Sequence, residues 1–188
     1  MKIRCFGCWL AGTWIAGSLF MIMVASQNFR SVDRLLAAPA TAAAQVEKMG
    51  HDQARAFLRY QVSEQNRLYF ETWEKIQLLL GVMLLAVMSR QGRLLIGVAA
   101  FMFALLLLER FYLTPEIVRI GRMIDFVPQA APSPERDLFW RFHGAYSGVE
   151  LLKLALEFFL SGRLIFGANR TGVELDVIDE ADHSHINR

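Results

Sequence analysis

Apolar residues in this chain gather into four runs, with charged segments between them. Residues 5–29 (CFGCWLAGTWIAGSLFMIMVASQNF) carry no charge. A membrane-spanning helix needs about 20 mostly apolar residues, so the pattern predicts a first span near 7–28. Lys2 and Arg4 ahead of it, with Val24-Ala25-Ser26 near its end, also fit a signal peptide. The run exceeds the usual signal core of about 7–15 residues. Gly12, Ala16 and Gly17 add the small residues of a packed helix, which favours a retained span. The second and third runs, 76–89 and 94–108, are shorter. Trp73 suits a membrane interface, and Lys75, Arg90 and Arg93 can extend their stems along lipid, giving spans near 73–90 and 93–112. The turn Arg90-Gln91-Gly92-Arg93 is so short that these two must be antiparallel neighbours. The fourth span is expected at 142–166.

The segments between the runs are helical in character. Residues 41–74 contain no proline, one glycine (Gly50) and many good helix formers, and Val46, Met49, Phe57, Tyr60 and Leu68 form a broken apolar stripe. One long amphipathic helix running into the second span is expected. Thr114-Pro115-Glu116 reads as a new helix start: Thr114 as cap, Pro115 at the first position, Glu116 facing the dipole. With Ile117, Ile120, Met123 and Ile124 on one face, it predicts a short helix along the membrane surface, ended by Pro128. Ser133-Pro134-Glu135 repeats the start signal before the last helix. The polar tail from Ala168, ending in His183-Ser184-His185, is expected to be disordered. The expected fold is therefore all-α: an integral membrane four-helix bundle over 1–167, with a long amphipathic helix before the second span, a short surface helix between the third and fourth, and a polar tail over 168–188.

Composition agrees. Hydrophobic residues make up 54% and charged residues 20%, with a mean hydropathy of +0.31, which is lean in charge for a soluble domain. The net charge is +2, and no basic stripe with interleaved aromatics points to nucleic acid. Cys5 and Cys8 stand as a lone CxxC with no supporting ligands, and read as small residues opening a helix. No nucleophile elbow, HExxH, P-loop or GxGxxG occurs, so an enzyme is not expected, nor any cofactor or metal.

The last run carries the chemistry. In RFHGAYSGVELLKLALEFFLSGRLIF, His143, Glu150 and Glu157 recur every seven residues, and Lys153 lies three after Glu150 and four before Glu157. These positions, with Tyr146, Ser147 and Ser161, share one side of a helix. Ionisable groups at membrane depth face the bundle interior or a watery cavity by default. Glu150–Lys153–Glu157 partly neutralises itself, leaving one negative charge if all three ionise: either one carboxyl is protonated, or a cation or an arginine answers it, with Arg110 at the end of the third span as a candidate and Glu109 as its competitor. A metal on His143, Glu150 and Glu157 is disfavoured, because groups two turns apart lie about 10 Å from one another.

The Trp-containing small-residue first span, the tight hairpin, Leu113-Thr114-Pro115, the Arg-rich helix after it, and Arg141-Phe142-His143-Gly144 together resemble the transmembrane-protein-205-like family, which is related to a bacterial family of unknown function, number 4149. The resemblance covers roughly Gly12 to Gly162 and implies a four-span helical membrane protein, in the inner membrane if bacterial, without mapped catalytic residues. Among function classes, the sequence favours a non-enzymatic scaffold, assembly factor or subunit of a membrane complex, with the bilayer as partner and association through the extramembrane helices. The alternative is a small transporter or ion- or proton-conducting protein using the polar stripe. Four spans and the short basic turn at Arg90–Arg93 predict that both termini are cytoplasmic.

Overall fold

The computed structural model describes residues 2–37, 40–128 and 131–186; the side chains of 2, 40–43, 45 and 167–186 lie outside the described set. The described chain is helical throughout, without strands. The helices are α1 (Lys2–Leu36), α2 (Ala40–Met49), α3 (His51–Met88), α4 (Arg93–Leu108), a π-helical turn (Glu109–Leu113), α5 (Thr114–Ile124) and α6 (Pro134–Ile186). The tail expected over 168–188, with His183 and His185, lies outside the described side chains.

Helix α1 packs on α3 and α6, α4 lies against α3 and α6, and α5 lies against α6. One end of the bundle is a dry core of Leu10, Trp14, Leu80, Leu84, Met88, Ala99, Met102, Leu106, Leu160 and Leu164. In the first half of α1 the buried positions are Gly7, Leu10, Ala11, Trp14 and Ser18, spaced three and four apart as a helix face must be. Gly12 and Ala16 are exposed. Of the three small residues expected to pack, only Gly17 does: its bare backbone receives the Trp73 ring. Trp73 is accordingly buried in the core rather than held at an interface, because Gly17 opens a slot the size of an indole.

Three boundaries differ from expectation. First, 41–74 is not one helix. Gly50, at φ 83°, breaks it between α2 and α3, a backbone region that L side chains avoid. Second, α1 continues to Leu36 beyond its apolar run. Third, Thr114 does not cap a new helix. It and Leu113 are both in right-handed helical geometry, so α4, the π turn and α5 form a continuous helical path. Pro115 has no N–H to give back to the preceding turn. The chain absorbs this with i→i+5 bonding, the Thr114 N–H reaching the Glu109 carbonyl. Between α3 and α4, Gly92 at φ 118° makes the tight reversal. At the start of α6 the expected cap is present: Ser133 Oγ accepts the Arg136 N–H at 3.3 Å.

Two helical segments, Ile3–Leu36 and Arg93–Ile124, are long and apolar enough to cross a membrane. The apolar stretches of α3 and α6 carry more charge: Glu71, Glu74 and Lys75 on one, Glu150, Lys153 and Glu157 on the other.

Candidate functional site

The middle of the bundle is polar. Glu74 and Gln77 of α3, Glu109 of the π turn, and Lys153 and Glu157 of α6 are all fully buried, an arrangement that charged residues adopt only when paired or neutralised. Lys153 is the hub. Its Nζ donates to Glu109 Oε2, to Glu150 Oε1 at 3.0 Å and to Gln77 Oε1 at 3.3 Å, tying α3, the π turn and α6 together. Glu150 Oε1 also accepts from Gln77 Nε2 and from the Tyr146 hydroxyl, each at 3.4 Å. The Thr114 hydroxyl donates to Glu74 Oε1, and the guanidinium of Arg110 stands 3.8 Å from Glu74 Oε2 and 3.5 Å from Glu71.

The π turn brings α4 and α5 into this site. On an ideal α-helix, residues five apart point about 140° from each other. The i→i+5 closure stacks Glu109 over Thr114 instead, so both turn inward, one to Lys153 and the other to Glu74. Pro115 thus shapes the site through the hydrogen bond it cannot make.

The structure places the sequence-predicted stripe as follows. Glu150, Lys153, Glu157 and Tyr146 all face the bundle interior. Ser147 is exposed and bonds its own helix at the His143 carbonyl. His143 stands outside the cluster, stacked on Phe139 at 5.7 Å and edge-on to Trp140 at 5.6 Å. Two pairings differ from expectation. Arg110 turns to Glu71 and Glu74 on α3, not to the α6 stripe, and Glu109, expected as its competitor, is the direct partner of Lys153. Lys153 makes no ion pair with Glu157. Because the nearer carboxylates of Glu109 and Glu150 claim its hydrogens, both Glu157 oxygens are buried without a hydrogen-bond partner among the described residues. Sequence reasoning missed Glu74 and Gln77. The signal was there: 73, 77, 80, 84 and 87 carry the buried face of α3 upward through the charged segment.

The carboxyls outnumber the cations: Glu74, Glu109, Glu150 and Glu157 meet Lys153 and an Arg110 that is shared with Glu71. Among the described residues, no three Glu, Asp, His or Cys side chains converge closely enough to hold a metal ion. A desolvated carboxylate is costly unless it is paired, hydrogen-bonded or protonated.

Beside the cluster, the far halves of α1, α3, α5 and α6 enclose a half-open cavity of about 680 Å³. Thr114 and Tyr146 line it, and the same two hydroxyls bond Glu74 and Glu150. Each therefore stands between the cavity and a carboxyl of the cluster. The molecule is an all-helical bundle with two helices fit to cross a membrane and an acid-rich ionisable centre next to a cavity. No family model, curated protein or solved structure matches the chain.

Proposed function

We propose that this chain is a four-span membrane protein, of the kind its resemblance to the transmembrane-protein-205-like family implies, and that it carries protons through the buried Glu/Lys cluster as a small proton-conducting or proton-coupled transporter. The outer faces support four spans. Ile76, Leu79 and Val82 on α3, and Leu151, Leu152, Phe158, Phe159 and Ile165 on α6, are exposed, as are Phe20, Ile22 and Met23 on α1 and Leu94 and Phe101 on α4. Apolar residues outside and charges inside is the pattern that lipid selects, and a soluble protein rarely exposes so continuous an apolar belt. With both termini in the cytoplasm, the basic turn at Arg90–Arg93 lies on the cytoplasmic side and the cavity opens to the opposite face.

The observation that carries the proton reading is Glu157. A structural lock needs bonded partners, whereas this carboxyl, one turn past Lys153, is buried with no hydrogen-bond partner among the described residues. Tyr146, Glu150, Lys153 and Glu157 form a descending polar line about 16 Å long, from the cavity toward the dry core. A second reading, a non-enzymatic scaffold or complex subunit, rests on the three-element grip of Lys153, which is what a lock would look like. Proteoliposomes with an internal pH dye separate the two. Under the proton reading Glu157→Gln, an isostere of the neutral acid, keeps the fold and thermal stability and abolishes proton flux. A wild-type protein no more permeable to protons than empty liposomes, or a variant that conducts like wild type, would leave the scaffold reading standing instead.

A further inference from the structure

We propose that the cavity beside the cluster is a binding site for an amphipathic organic anion, a carboxylate or phosphate head on an apolar or aromatic body. The inference deepens the carrier reading by naming its substrate class and rests on that reading for its role, while binding itself does not require proton flux.

The lining has two characters. Phe70, Ile117, Val118, Phe139 and Trp140 give apolar and aromatic wall, the usual bulk of a small-molecule site. The polar part is cationic: Arg59, Arg67 and Arg136 against the single acid Asp125. Arg67 is committed, with both amino groups on Asp125 at 2.9 and 3.0 Å and a further bond to Glu64. Arg136 reaches the carbonyls of Val127, Pro128 and Ala131. Arg59 differs from both. It lies over the Phe29 ring at 5.6 Å and forms no ion pair among the described residues, so its planar fork can take a carboxylate or phosphate in two parallel bonds.

The donors are in register with it. Arg59, Ser63, Asn66 and Phe70 sit at i, i+4, i+7 and i+11, one stripe of α3 facing the cavity. Asn66 is buried; its carbonyl oxygen accepts from Asn28 at 2.7 Å, which leaves its NH₂ as a donor. From Arg59 to Phe70 the stripe runs about 16 Å, the length of an amphiphile with its head at the outer end and its body against Phe70 and Trp140. Beyond Phe70 stands Tyr146, ring to ring at 5.9 Å, and behind it Glu150. An anion seated here has its apolar end next to the proton site.

Calorimetric titration of the full chain in phosphatidylcholine nanodiscs tests this with naphthalene-2-carboxylate and its neutral isostere naphthalene-2-carboxamide. The expected result is one acid bound per chain, with the amide at least about tenfold weaker, since charge-assisted bonds exceed neutral ones by that much. Arg59→Gln should weaken the acid about tenfold and leave the amide unchanged, and Ser63→Leu, which fills the cavity from a second position, should abolish both. Native mass spectrometry after reconstitution with phosphatidylglycerol distinguishes a lipid source: retained lipid that is lost in Arg59→Gln supports the site with a membrane anion as its occupant. Acid and amide binding equally, acid binding unaffected by Arg59→Gln, or neither acid nor lipid held would overturn the proposal. Glu157→Gln should bind the acid like wild type, so a failed flux assay with intact binding rejects the proton reading alone, and lost binding with intact flux rejects this one alone.

Discussion

Replacing Lys153 by methionine probes the cluster most directly. The side chain is fully buried, and its Nζ holds Glu109, Glu150 and Gln77 together. Methionine fills nearly the same volume, so packing loss is small and the cost is electrostatic. Removing one partner of a buried ion pair costs about 3–5 kcal/mol, because the other charge is left desolvated and unanswered. Here Glu109 and Glu150 both lose their ammonium; Glu150 keeps Gln77 and Tyr146, so fully buried Glu109 bears most of the cost. For a chain of this size each kcal/mol lowers Tm by about 2–4 °C, giving a fall on the order of 10 °C or more. The assay is thermal unfolding in detergent at constant lipid content. Two controls sharpen it. Adding Glu109→Gln to the variant removes one orphaned charge and should recover a large part of the loss as a coupling energy. Lowering the pH lets protons replace the missing ammonium, so the gap between variant and wild type should narrow in acid. A loss below about 1 kcal/mol, with no rescue by Glu109→Gln, would refute a dry, Lys153-centred cluster.

Two further predictions concern the frame. A methyl group added at Gly17 would lie 2.0, 2.5 and 2.7 Å from three Trp73 ring atoms, so Gly17→Ala should destabilise by about 1–3 kcal/mol and shift tryptophan emission as the ring is pushed out; unchanged Tm and emission would contradict the slot. At the cavity rim, burial opposes the charge on Glu64, yet Arg67 and Arg122 outweigh it and hold the carboxyl below its usual value of 4.5. The stability it adds is therefore present above the unfolded-state pKa and is lost as pH falls through the lowered folded one. Wild type should lose more stability than Glu64→Gln between pH 6 and pH 3, by at most about 1 kcal/mol for a pair this exposed, and parallel curves would contradict it.

The sequence alone established a good deal, and for a simple reason: apolar periodicity and length are local properties. The runs at 5–29 and 94–108 became the two helices fit to cross a membrane, the Ser133-Pro134-Glu135 start became the cap of α6, and Tyr146, Glu150, Lys153 and Glu157 share one inward side of α6 as their spacing required, whereas His143, two turns before Glu150, stacks on Phe139 outside the cluster. The partners of that stripe were a different matter. Glu109 and Arg110 are adjacent in sequence and point to different helices, and which faces Lys153 depends on the angular offset of the π turn, set by a proline six residues further on. Glu74 and Gln77 stood at the start of the expected second span with no partner in view, until Thr114 and Arg110 met the one and Lys153 and Glu150 the other. Trp73 looked interfacial until Gly17, 56 positions earlier, proved to be its slot. A residue's side of its own helix is written in the sequence around it, but its counter-charge lies on another helix, and only the packing of the bundle decides which carboxyl bonds the lysine and which, like Glu157, has no hydrogen-bond partner among the described residues.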